Sequence, residues 1–98
     1  MDTPLEQRTT PRTAMDRVVR FERSATATGR GRQTAQGIGR DISSQGISIL
    51  TVCPLRMGEI LKLHVPLEAD RASVPVYSEV RWARPEHEGF CVGLQFLS

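Results

Sequence analysis

The sequence predicts an all-β domain of six short antiparallel strands, arranged as a barrel or a sandwich. Three observations carry this. Apolar residues alternate with polar ones, most clearly from Glu59 to Leu67, where Leu61, Leu63, Val65 and Leu67 share one face. Clusters rich in Gly, Pro, Ser and Asp separate the β-prone runs. No stretch shows a convincing amphipathic helix; the one candidate, Leu5 to Met15, is weakened by Pro4 and Pro11.

The elements follow in order. Residues 1–14 are polar and aperiodic, which predicts a flexible N-terminal arm, with the barrel domain occupying 15–98. Arg17 to Arg23 (RVVRFER) reads as the first strand, and Ser24 to Arg32 as a long, glycine-bearing hairpin loop. Residues 33–42 form the second strand; Gly37 and Gly39 inside it signal a bulge or a close backbone approach. Asp41 to Gly46 turns into Ile47 to Val52, and PLRMG at 54–58 breaks that run. Glu59 to Leu67, Val74 to Ala83 and Phe90 to Phe96 supply the remaining strands, with a turn at Pro85 to Gly89. The chain stops at Ser98, directly after the last strand, so no C-terminal helix is expected.

The bulk numbers narrow the function classes. Ninety-eight residues make one domain. No apolar run approaches the ~20 residues of a membrane helix, and MDTPLEQRTTPR has no apolar stretch that a secretory signal would need. A cytoplasmic protein without membrane insertion is the expectation. Cys53 and Cys91 both sit in apolar settings and read as buried free thiols. His64 and His87 are isolated, so neither a metal nor a cofactor is expected. His87, in a turn, reads as solvated. No Ser-His-Asp, Cys-His or paired-carboxylate frame is visible, which argues against an enzyme.

Charge is unevenly placed. Lys62 is the only lysine among 13 basic residues, and eight arginines lie in the first forty positions against four acids. Guanidinium forks match phosphate oxygens two at a time and stack on base planes. Two short signatures fit that chemistry. Arg8 and Arg12 stand four apart in the arm, suited to an anion with two phosphates. Asp41, Ser43 and Gly46 stand in DISSQG at a strand end. Asp41 can accept from the amino and ring N–H groups of a guanine, and Ser43 can donate or accept beside it. Gly46 allows a positive φ or a close backbone approach. Taken alone, each has an ordinary alternative: arginines in a tail are commonly solvated, and Asp-x-Ser commonly closes its own turn.

Together and in this order, the two motifs resemble the PilZ domain family, with its RxxxR motif followed by [D/N]xSxxG. The likeness extends through PLRMGEILKL at 54–63 and through EVRWARPEHEGFCVGLQF at 79–96, with its Gly93-x-x-Phe96 ending. The resemblance implies a six-stranded antiparallel PilZ-type β-barrel that binds cyclic di-GMP on its outer surface. Arg8 and Arg12 would grip phosphates and stack on guanine, Asp41 and Ser43 would read a guanine edge, and Gly46 would shape the turn. The arm would order over the ligand and signal to a protein partner. Gln7 stands where many members carry a basic residue, which leaves one ligand or a stacked pair open.

Trp82, the only tryptophan, reads two ways: as a stacking platform for a guanine, or as a packing residue at the barrel rim. Its neighbours Arg81 and Arg84 read as solvated. Two other functions are weighed. A PilZ-like adaptor that binds no nucleotide would be expected to lack the motif residues. A barrel for single-stranded nucleic acid would interleave aromatics with cations, whereas the five aromatics here read mostly as core.

Overall fold

Seven strands form in the computed structural model, which describes residues 11–24, 32–67 and 72–97. They are β1 (Thr13–Ala14), β2 (Val18–Ser24), β3 (Arg32–Ile42), β4 (Gly46–Thr51), β5 (Ile60–Pro66), β6 (Ser73–Glu86) and β7 (Gly89–Phe96). Every pairing is antiparallel. The order β3-β2-β5-β6-β7-β4 closes through β4–β3, giving a six-stranded barrel with β1 as an added strand on β3. Closure leaves the alternation of each strand to decide what lies inside. No helix occurs among the described residues, so none is long and apolar enough to cross a membrane.

The period-two pattern of β5 works as the sequence suggests: Leu61, Leu63 and Val65 point into the barrel while Lys62 and His64 face outward. Val19 and Phe21 of β2, Ile47 and Ile49 of β4, Val80 of β6, and Val92 and Leu94 of β7 complete the core. Cys91 is buried, but Cys53 is only half-buried, and its sulfur accepts from Arg23 Nη1 at 3.3 Å. His87 lies exposed in the β6–β7 turn. His64 is not isolated; its Nε2 lies 2.8 Å from Glu22 Oε2.

Two strands depart from the sequence expectation. β6 runs on to Glu86, three residues past Ala83, because the hairpin with β7 continues through Pro85 opposite Phe90. A proline is tolerated there because β5 pairs with β6 only as far as Glu79, so this stretch has one free edge. Thr13 and Ala14, expected at the end of the arm, form β1 by pairing with Ile42 and Asp41. Thus β1 prolongs the line of β2 along β3, across a break at 15–17 bridged by Met15 N–H to Arg40 O (2.9 Å) and Gly39 N–H to Arg17 O (2.7 Å). Met15 packs over Gly39, where any Cβ would stand 2.6 Å from its sulfur.

The barrel's polar interior gives one stability test. Ser78 is fully buried between Leu61 and Phe96, and its hydroxyl has no hydrogen-bond partner among the described residues. A buried unpaired hydroxyl costs about 1–3 kcal/mol. Ser78→Ala should therefore stabilise the domain by about 1 kcal/mol, raising Tm by roughly 4–8 °C in a domain of this size. A lowered Tm by calorimetry would mean that the hydroxyl is paired.

A second test concerns the ion pair near the end of the barrel. Arg23 donates through Nε and Nη2 to Glu59 at 2.7 and 3.2 Å, and Glu59 Oε1 also accepts from the Arg56 N–H at 3.0 Å. Burial pushes the Glu59 carboxyl up, but the Arg23 fork, the Arg56 N–H and both positive charges outweigh it and hold it below 4.5. The carboxyl is lowered in the folded state, so its contribution is present above the unfolded value and lost as pH falls through the folded one. Glu59→Gln should be less stable than wild type at neutral pH, with the gap closing as pH drops below 4.5. Urea melts across that range check this; a gap independent of pH would mean that the charge contributes nothing.

Candidate ligand-binding face

The motif residues are positioned by pairing register. Ala14 pairs with Asp41, Asp41 with Ser48, Ser48 with Gly93, and Gly93 with Trp82. Directly opposed residues share a face, so these five form one row across β1, β3, β4, β7 and β6 on the outside of the barrel. Asp41 and Trp82 stand three strand spacings apart along it, roughly 14 Å.

Two bulges put them there. On β3, Gly37 and Gly39 point inward, and strict alternation would carry residue 41 inward too. The register shift between Gly39 and Asp41 turns the carboxylate out. On β6, Val80 is in the core, and the shift between Val80 and Trp82 turns the indole out. Bulges re-aim side chains in this way. Trp82 is 38% exposed and lies flush on Gly93, where an added Cβ would stand 2.2 Å from Cε2. The guanidinium carbon of Arg84 lies 5.2 Å from the indole centroid. Ser48, small and buried, completes the floor between Asp41 and the indole.

At the other end of the row, β1 brings the arm to the turn. Arg12 stands one residue before Thr13 and on the same side as Ala14, and its Nη1 donates to Asp41 Oδ1. The pair is open to solvent, with side chains 43% and 34% exposed. The two motifs are thus in contact in the free chain. Arg8 lies outside the described residues.

Ser43 and Gly46 build the turn itself. The Ser43 N–H donates to Gly46 O at 2.9 Å, and the Gln45 N–H donates to Ser43 Oγ at 3.1 Å. One lone pair of the hydroxyl therefore serves the turn, and among the described residues its O–H has no acceptor. Of the two uses expected for Gly46, the close approach is the one realised. Its φ is not positive, whereas a Cβ would stand 2.3 Å from Leu94 O of β7.

A family model of the PilZ domain matches residues 6–98. The chain belongs to the PilZ family. PilZ domains as a family are cyclic di-GMP receptors and act as ligand-binding or effector domains. The fold agrees with a solved PilZ protein, the Bacillus subtilis inhibitor of motility (MotI/DgrA), at a TM-score of 0.65 and 21% identity. That match covers 93% of this PilZ domain and 43% of the Bacillus chain, so the domain spans less than half of its neighbour's length. No curated protein matches the sequence.

Four further residues of this PilZ domain's outer face take their place in the row, or beside it, only through register. Ser48 and Gly93 matter for being small: Ser48 reads as an ordinary strand residue, and Gly93 only as part of the Gly-x-x-Phe ending, until register sets them between Asp41 and Trp82. Arg81 and Arg84 read as solvated. Both are exposed, as that reading expects, and each also has a neighbour on the face: Arg81 Nη1 donates to Gln95 Oε1 at 2.6 Å, and Arg84 lies over the indole. The Trp-x-Arg spacing at 82–84 is the signal for the latter, since i and i+2 on a strand share a face. The remaining aromatics do not join the row: Phe21 is buried, Phe90 and Phe96 pack on the core, and Tyr77 is exposed opposite Lys62.

Proposed function

We propose that this PilZ domain is a receptor for cyclic di-GMP and performs no chemistry on it. The observation that supports this best is the single outer row that carries Arg12 on Asp41 at one end and Trp82 at the other, with the Ser43–Gly46 turn alongside. A ligand with two guanines and two phosphates has groups for both ends. Arg12 exchanges Asp41 for a phosphate, with Arg8 from the same arm as its companion. Asp41, released, accepts from a guanine edge, and the free O–H of Ser43 donates beside it. Trp82 offers its ring to a base. No cofactor takes part.

Signalling follows from competition. The free state holds Arg12 and β1 against Asp41; the bound state redirects the arm onto the ligand. The ligand biases the arm because it contacts the two states differently, and the rearranged surface is what a protein partner would read.

The test is isothermal titration of the full chain with cyclic di-GMP, with GTP as control. Selective binding with a quenched or shifted Trp82 emission is the expected result, and the molar ratio decides between one ligand and a stacked pair. The absence of heat would sink the receptor reading and point to the adaptor that works by protein contact alone.

A further inference from the structure

Arg84 is held by little. Its side chain is 64% exposed, and its one hydrogen-bond partner among the described residues is Glu86, reached through Nε at a long 3.4 Å. Its other contact is the indole of Trp82. Exposed ion pairs and exposed cation–π contacts are both weak. Arg81, on the same strand, is more firmly engaged, with Gln95 at 2.6 Å. Arg84 also occupies the ring that a base would need. Its guanidinium is planar and sits where a stacked group would sit, at the end of the row opposite Arg12.

We infer that Arg84 is a second anion-gripping residue of this face: a guanine takes its place on the Trp82 ring, and the displaced guanidinium pairs with the phosphate at that end. This rests on the receptor reading above. The two ends of the row then work alike. At each, an arginine covers a recognition group in the free chain, Arg12 on Asp41 and Arg84 on Trp82, and moves to a phosphate when a guanine arrives. The fork of Arg84 supplies two parallel N–H donors, a geometry that a lysine ammonium lacks.

Arg84→Ala and Arg84→Lys, each in the full chain, are titrated with cyclic di-GMP at low and high salt beside wild type and Arg12→Ala. Arg84→Ala should bind about tenfold more weakly, the scale of one charge-assisted hydrogen bond, with Arg84→Lys in between. Its affinity should also depend less on salt, because one screened attraction is gone. Thermal unfolding should be unchanged, which separates a ligand contact from a structural role. If Arg84→Ala binds like wild type with the same salt dependence while Arg12→Ala loses affinity, the role of Arg84 is overturned and the receptor reading stands. If wild type itself does not bind, both fall.

Discussion

Arg12→Ala should lower the affinity for cyclic di-GMP by roughly 10- to 100-fold while leaving the stability of the fold within about 1 kcal/mol of wild type. The two halves of this expectation have different origins. In the free protein Arg12 contacts Asp41 in a solvent-open pair, and such pairs contribute about 0–1 kcal/mol. In the proposed complex the same guanidinium would meet a phosphate with its paired donors, a contact of about 1.5–3 kcal/mol. Arginine thus leaves a weak partner for a strong one.

The pair also makes a double-mutant cycle informative. Under the proposed exchange, Arg12 and Asp41 touch each other only in the free state, and each touches the ligand in the bound state. Each single alanine variant therefore loses a ligand contact but also removes the competing ion pair. The double variant should lose more affinity than the two singles added together, by the strength of that pair, up to about 1 kcal/mol. Strict additivity would mean that the contact with Asp41 persists in the complex, and the exchange of partners would be wrong. Wild-type affinity in Arg12→Ala would remove that residue from the site.

How much of this was legible follows from what alternation can and cannot encode. The inward set Leu61, Leu63, Val65 and the outward set Lys62, His64 follow from period two alone. The motif positions Asp41, Ser43 and Gly46 were legible as a turn. What alternation cannot show is where it fails. Without the bulge after Gly39, Asp41 would face the core; without the bulge after Val80, so would Trp82. Gly37 and Gly39 hinted at the first, and nothing in EVRWA announces the second. The choice between platform and packing for Trp82 was open in the sequence for that reason. β1 was hidden differently: two residues carry no period, and only the edge that β3 offers beyond the end of β2 makes Thr13 and Ala14 a strand.

Gly46→Ala should destabilise the domain by about 2–4 kcal/mol, lowering Tm by 10 °C or more, and should do so without any direct loss of a ligand contact. The added methyl would lie 2.3 Å from Leu94 O and 3.3 Å from Leu94 C, both backbone atoms of the paired strand β7. A flexible side chain could swing aside, but β7 is fixed between β4 and β6 in a closed barrel, so relief requires the β4–β7 ladder to open at its Gly46–Gln95 end. For a domain whose whole stability is of the order of 5–15 kcal/mol, that is a large fraction. The motif glycine would thus be required by the barrel and only indirectly by the ligand: it lets β4 start against β7, and so fixes the turn on which Ser43 donates to Gly46 O. Thermal melts of Gly46→Ala followed by circular dichroism decide this, paired with titrations well below its midpoint. A variant that melts with wild type yet binds no cyclic di-GMP would reverse the assignment, placing the added methyl against the ligand instead of against β7.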